Sequence, residues 1–519
     1  MGSSEETIDR SPQPGPGLKP EDHIEALPSD LPVLTTTTER RLLAKIDWHI
    51  VPCLCVLYLL AFLDRVNISN AAVLGLETDL NIATGTKYNT ALTIFFVPYV
   101  IFEIPSNILL KKLKPHVWCT CPTVFLYVRV RPRHDMSGLS LKLGWTDDYT
   151  LVPGYEGIHI QRHIANIDTG MFETGMFPGC FYLLGMWYKR SEAQKRFSFF
   201  FSSTTLAGAF GGLLASGLGE MAGLRGYGGW RWVFIIEGVI TCVVAIVWFF
   251  IIPGFPEDVK WLNEEERMYI RAKLARDAGK AGHDARMGWR DVLAVFKDYK
   301  IFLGGFMYFG QVVTAYGYAF FAPTIIKTYG YGTILTQLYS IPPWAAAFAF
   351  SMIIATFSDL TRHRLAFTLI PTAIAMAGFG ILLNVHGEAH RHVQYGALFM
   401  VTCGCYSAMP VIVCWFAMNL GGHRRRSVGT AWQVGFGNTG GIISTYAFLA
   451  KDAPEYRNGY IISLSFICFS AACCIGYFVA LWTENKRRDR VMANGAPAEL
   501  RADEEEVQGD LAVTYRYGY

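Results

Sequence analysis

The stretch Tyr58-Leu59-Leu60-Ala61-Phe62-Leu63-Asp64-Arg65-Val66-Asn67-Ile68-Ser69-Asn70 decides the fold. It closes an apolar segment that begins at Ile50, and it sets an acid, a base and an amide together near one end of what otherwise reads as a membrane helix. An ionisable group at membrane depth costs on the order of 2.5 to 3.5 kcal/mol on insertion scales, so such groups usually face a cavity and act there. The alternative is that Asp64 and Arg65 lie at a helix end and reach out to water. Residues 66–76 continue without another charge, which favours the cavity.

The 519-residue chain is 52% hydrophobic and only 17% charged. A soluble protein of this size carries about a quarter charged residues. The mean hydropathy is +0.25. Apolar blocks of about 20 residues alternate with short basic connectors, the pattern of a polytopic helical membrane protein. The net charge of +3 is small, and its positive residues cluster in connectors, which sets topology and gives no sign of a nucleic-acid partner. The 12 cysteines are scattered, as in Cys53/Cys55, Cys403/Cys405 and Cys473/Cys474. Their spacing suits neither zinc nor a secreted disulfide framework, so they read as small hydrophobes. With no His-rich metal cluster, nucleophile elbow or phosphate loop, no metal, cofactor or enzyme activity is expected.

Residues 1–45 form an expected cytosolic tail, disordered to about residue 40 because Pro, Gly, Ser, Thr and acid cannot bury a core. No charged start followed by an apolar run marks a secretory signal. The basic run at 39–45 places the N-terminus in the cytosol. Span one is predicted at about 49–73 and span two at 88–110, with Pro98, Glu103 and Pro105 inside it. Span five, 197–218, holds Ala207-Gly208-Ala209-Phe210-Gly211-Gly212, small residues that let helices approach closely. Span six is 232–252. Spans seven to twelve fall near 301–323, 335–357, 365–385, 394–418, 428–449 and 460–482. The charged connector 253–300 is too polar to insert and divides a half at 46–252 from a half at 301–485, with a second cytosolic tail at 486–519. Basic clusters at 111–114, 189–196, 362–364, 424–426 and 486–490 all fall on the cytosolic side if there are twelve spans.

Residues 119–166 break this pattern. The apolar run 117–128 is about 12 residues long, short of the roughly 20 a span needs. Arg129, Arg131, Arg133, His134 and Asp135 follow, then a polar stretch with Asp147, Asp148, Glu156, Arg162 and His163. Apolar character resumes at 170–187. Both flanking connectors are basic, so an even number of crossings is required, yet the apolar sequence suffices for about one and a half. One explanation is a long external loop between two short spans. The other is a retained intron or a shifted reading frame over about 119–166, which the abrupt change of composition at both ends favours.

Two six-span halves around a long central loop is the layout of a major facilitator transporter. Tyr58 to Asn70, with Leu-Asp-Arg-Val-Asn-Ile, resembles the first helix of the anion:cation symporter branch of that superfamily, the fungal allantoate, nicotinate and vitamin permeases. Phe102-Glu103-Ile104-Pro105-Ser106-Asn107 resembles the branch's second helix. Gly170-Met171-Phe172-Glu173-Thr174-Gly175-Met176-Phe177-Pro178-Gly179 is similar to its fourth, and Gly229-Trp230-Arg231-Trp232-Val233-Phe234-Ile235-Ile236-Glu237-Gly238 to the start of its sixth. Ser358-Asp359-Leu360 with Arg362 and Arg364 resembles the second-half copy of the cytosolic loop motif. The resemblance covers about 45–485 outside the anomalous stretch, and the sugar-porter signatures are absent. The branch places an Arg seven residues before the Glu of the fourth helix, where this chain has Asn166; Arg162, a turn further out, substitutes only in part.

The resemblance implies an all-α integral membrane protein of major facilitator fold, and a proton-coupled symporter of a small organic anion such as nicotinate, allantoate or pantothenate. Such a symporter needs a carboxylate that takes a proton when loaded and a cation to meet the substrate. Asp64 and Glu173 are the expected proton carriers. Arg65 would contact the substrate carboxylate or hold Asp64 charged. Asn67, Gln311, Tyr316, Gln433 and Asn438 are expected to line the site; Tyr318 is a further candidate. Glu103, Arg231, Glu237, Asp359 and Arg362 are expected in gating or packing, with Arg231 and Glu237 read as a pair. The expected setting is the plasma-membrane bilayer, as a monomer whose partners are the organic anion and protons. The competing readings are a transport-inactive membrane protein, a defective gene product or a sensor, and a drug or metabolite exporter of the same superfamily.

Overall fold

The computed structural model describes residues 34–110, 173–278 and 289–494, apart from 36, 84, 255, 257, 258 and 422, and then 510, 513 and 515–519. The first helix, α1 (Glu39–Ala71), carries its apolar run through Pro52 and ends in a π-helical turn, Ala72–Leu76. Gly75 takes φ 99° in that turn, a conformation glycine adopts without steric cost. α2 (Lys87–Leu110), α3 (Met176–Trp187), α4 (Arg190–Gly219) and α5 (Gly229–Ile251) complete the described part of the first half. The connector folds as α6 (Glu264–Ala278) and α7 (Trp289–Val295). The second half is α8 (Tyr299–Lys327), α9 (Thr333–Thr361), α10 (Arg364–Asn384), α11 (Arg391–Met418), α12 (His423–Asn438) with α13 (Gly440–Ala447), and α14 (Arg457–Ala493). Among the described residues there is no strand, and seven helices are long and apolar enough to cross a membrane. The expected third span, the anomalous 119–166, Arg162 and Asn166 lie outside the described residues.

Two seams join the halves. In the first, α4 meets α9: the glycine at 208 leaves room for the ring of Trp344, and Gly212 lies against Ser340. The close approach expected of the small-residue run is therefore made across the halves, and a hydrogen bond of 2.7 Å joins the Ser202 and Ser351 hydroxyls further along. In the second seam, α2 meets α12 and α13. Asn89 donates to the carbonyls of Thr445 (2.5 Å) and Phe448 (3.1 Å), the hydroxyls of Thr93 and Thr445 lie 2.6 Å apart, and Gly441 admits the ring of Phe96. Gln337 donates to the Asn70 carbonyl at 3.0 Å, and the Ser69 hydroxyl lies 3.3 Å from the Ala319 carbonyl. These contacts close the end of the bundle at which α1 finishes and α2 begins.

Two boundaries differ from expectation. α1 starts at Glu39, inside the stretch expected to be a tail, because Leu42 and Ile46 recur at helical spacing and are buried. The connector accounts for this: Lys273 of α6 pairs with Glu39 (2.8 Å) and Glu192 (2.7 Å), and Lys45 pairs with Glu266 (2.7 Å). Burial acts to lower the Lys273 pKa, but the two carboxylates outweigh it and hold the ammonium above the usual lysine range. At the other end, α14 runs on to Ala493, beyond the expected boundary at 485.

The expected second tail is also not free where it is described. The Asn485 amide donates to the Tyr517 carbonyl and accepts from the Tyr517 N–H, both at 3.0 Å. Asn419 does the same for Gly518, and Trp415 donates to the Gly518 carbonyl. Arg488 donates to the Tyr515 and Asp510 carbonyls, Arg425 pairs with Asp510 at 2.8 Å, and the Arg364 N–H meets the Tyr519 carbonyl. The peptide thus ties α10, α11, α12 and α14 together. Hydrogen bonds to a charged group contribute about 1.5 to 3 kcal/mol each. Arg488→Ala and deletion of 510–519 should therefore each lower the thermal denaturation midpoint in detergent by several degrees, and the two together by no more than the deletion alone. A deletion variant as stable as the parent would show that the docked peptide contributes nothing.

Candidate functional site

Arg65 is the centre of the buried polar cluster. It projects from α1 with its side chain only 7% exposed. Its Nη2 donates to Glu173 Oε2 at 2.9 Å, and its Nη1 donates to the Tyr316 hydroxyl of α8. The guanidinium also lies 4.8 Å from the ring centre of Phe95, 5.2 Å from that of Tyr99 and 5.7 Å from that of Tyr316. Aromatic faces stabilise a cation by about 0.5 to 2 kcal/mol each, more as water is excluded. α1, α2, the segment ahead of α3, and α8 therefore meet on one side chain, and two halves of the chain share it. Among the described residues, Arg65 Nε has no hydrogen-bond partner.

A buried ion pair offsets its desolvation only while both partners are present, and removal of one leaves an unpaired charge costing about 3 to 5 kcal/mol. A mobile carboxylate that docks on Arg65 would supply the replacement charge and release Glu173. A released Glu173, 7% exposed and without a cation, would take a proton in place of its lost partner. The arrangement can exchange one carboxylate for another at a fixed guanidinium and move a proton in doing so.

Arg65, expected to meet the substrate carboxylate or to hold Asp64 charged, pairs with Glu173. Adjacent residues point about 100° apart around a helix, and Asp64 lies half-buried on the neighbouring face of α1. Asn67 is completely buried, and neither amide atom has a hydrogen-bond partner among the described residues; Gly211 of α4 lies opposite it. Tyr316 is in the cluster. Gln311 donates to the Thr372 hydroxyl (3.0 Å) and Gln433 to the Gly304 carbonyl (3.1 Å), so both tie helices within the second half, each with an Oε1 that no described residue meets. Tyr318 packs edge-on against Trp344. Asn438 faces Glu103.

The expected gating residues divide. Glu103 is buried in the α2–α12 seam. Arg231 rests on the rings of Trp230 (5.2 Å) and Tyr227 (5.7 Å) in place of the expected pair with Glu237, which is buried within α5. Arg364 takes the role expected of Arg362: it pairs with Asp359 at 3.0 Å and donates to Ser358 at 2.9 Å, whereas Arg362 is exposed and left-handed at the end of α9. Sequence reasoning passed over Phe95, Tyr99 and Gln337. Aromatic and amide residues are common in such helices, and only the position of Arg65 distinguishes these.

Residues 167–477 match the family profile of the Major Facilitator Superfamily. The chain is 30% identical over 464 residues to the MFS transporter prlL of a fungal species, covering 88% of this chain and 89% of that one. It is 29% identical over 457 residues to the high-affinity nicotinic acid transporter of Saccharomyces cerevisiae, covering 88% of this chain and 80% of that one. Among solved structures, the proton:xylose symporter XylE bound to 6-bromo-6-deoxy-D-glucose gives a TM-score of 0.65 at 14% identity, over 83% of this chain and 95% of that chain, a likeness of fold. The chain belongs to the major facilitator superfamily.

Proposed function

We propose that the chain is a secondary active transporter that carries a small organic anion together with a proton by alternating access. The observation that carries this reading is the buried Arg65–Glu173 pair, capped by Tyr316 of the other half. A substrate carboxylate takes the place of Glu173 on the Arg65 fork, Glu173 takes up a proton, and both cargoes are committed before the halves rock. Asp64, half-buried beside this pair, is a second proton carrier; Asn67 points about 200° around α1 from Arg65, at Gly211 of α4, and takes no part on the Arg65 fork. The substrate class is a small carboxylate such as nicotinate, allantoate or pantothenate; the nicotinic acid relative supports the first. The plasma membrane, a monomeric state and cytosolic termini belong to the same reading, the last from the basic connectors.

The test is uptake of labelled nicotinate by a host lacking its own carrier, using the chain that the mature messenger encodes. Uptake should rise as the medium is acidified, and excess allantoate or pantothenate should compete if the site reads only a carboxylate. In Asp64→Asn, proton-driven uptake should be lost while counterflow at equal pH persists. Accumulation by that variant against a gradient, at the parent level, would remove Asp64 from coupling. Efflux of nicotinate driven by an inward proton gradient would reverse the direction and make the protein an exporter.

A further inference from the structure

Glu103 borders the Arg65 cluster on the side that faces α12. It lies one helical turn beyond Tyr99 on α2, 1% exposed, and points across the seam at α12. Gly435 makes the room: a Cβ there would stand 3.5 Å from Glu103 Cγ. Asn438 is the hydrogen-bonding group that faces it, and neither carboxylate oxygen reaches a partner at full hydrogen-bond geometry among the described residues. Arg65 of α1 is the charged group that acts on it, and the neutral phenols of Tyr99 of α2 and of Tyr308 and Tyr316 of α8 are the other titratable groups within its reach. Arg65 is already committed to Glu173 and Tyr316. From α12 the neutral Gly435 and Asn438 meet it.

We propose that Glu103 is a further proton site, apart from Glu173 and Asp64, whose neutral carboxyl closes the α2–α12 seam and whose ionised carboxylate holds it open. The proposal rests on the proton-coupled reading above and assigns a separate task within it. Moving a lone carboxylate into a dry contact is far more costly than moving a carboxylic acid, which can share a hydrogen bond with an amide such as Asn438. The same seam carries the Asn89, Thr93 and Phe96 contacts, so separating the halves there would admit water to Glu103 and let it ionise. It could not return charged. Proton occupancy would thereby decide when the halves close, while Glu173 senses the substrate.

The experiment uses the full messenger-encoded chain in proteoliposomes, with nicotinate as probe. Glu103→Gln, fixed in the neutral form, should exchange nicotinate at equal pH within about twofold of the parent. Exchange by the parent should slow as both sides are made alkaline together, because ionised Glu103 holds the seam open, and Glu103→Gln should slow at least several-fold less. Equal alkaline slowing in the two overturns the proposal. So does a folded variant that has lost exchange, because that is the signature of a structural seal. If the parent carries no nicotinate, the substrate reading fails by itself, and infrared difference spectra of the same vesicles decide the role of Glu103. A protonated-carboxyl band that titrates in the parent and is missing from Glu103→Gln supports it, and identical spectra overturn it.

Discussion

Arg65→Lys should lower nicotinate uptake about 10- to 100-fold with little loss of folded protein. The guanidinium serves Glu173 and Tyr316 through separate nitrogens and lies among the rings of Phe95, Tyr99 and Tyr316. An ammonium keeps the charge and loses the planar fork and the stacking. The loss of one charge-assisted hydrogen bond is about 1.5 to 3 kcal/mol, and each 1.4 kcal/mol is about tenfold in affinity. The measurement is the affinity for nicotinate in exchange mode, where proton drive does not enter. Arg65→Ala should be inactive, since it strands Glu173 without a cation. An unchanged affinity in the Lys variant would remove Arg65 from the substrate site.

The second large effect concerns residues 119–166. As written, the chain sets Arg129, Arg131 and Arg133 where the superfamily layout needs a third span. Three uncompensated arginines would cost roughly 7 to 10 kcal/mol on insertion scales, far more than the apolar run 117–128 offsets. The family match begins at residue 167, next to the end of this stretch. We therefore expect the mature messenger to encode about 20 apolar residues after Trp118, a short loop, and an Arg seven residues before Glu173. Expressed as written, the chain should be degraded or should give no uptake above the host background. Finding the written sequence in mature messenger, with uptake by that protein, would refute both expectations.

Much of the architecture is legible in the amino-acid sequence. Apolar blocks of membrane length and basic connectors on alternate sides give the two-half layout, because lipid permits few other solutions. Arg65 stands out because a charge inside an apolar run has to be answered by another group. Which group answers it is not legible. Asp64 is its neighbour in sequence but lies on the next face of α1, whereas Glu173 reaches it from more than 100 residues away. Tyr99 and Phe95 look like any lipid-facing aromatics until the fold brings their rings to the Arg65 guanidinium. The docking of 515–519 is hidden for a similar reason: its partners, Arg364, Trp415, Asn419, Asn485 and Arg488, come from α10, from α11 and its C-terminal end, and from α14, and converge only in the fold. Which of Arg362 and Arg364 meets Asp359 is not legible either: a left-handed turn at residue 362 turns the first outward, and the second makes the pair.

The central claim is that a substrate carboxylate and Glu173 exclude one another on Arg65, and that the displaced Glu173 takes up a proton. Proton uptake on nicotinate binding, followed with a pH indicator in lightly buffered detergent solution, tests it most directly. The messenger-encoded chain should take up about one proton per nicotinate bound, and Glu173→Gln none. Binding of nicotinate without proton uptake, or equal uptake in Glu173→Gln, would contradict it.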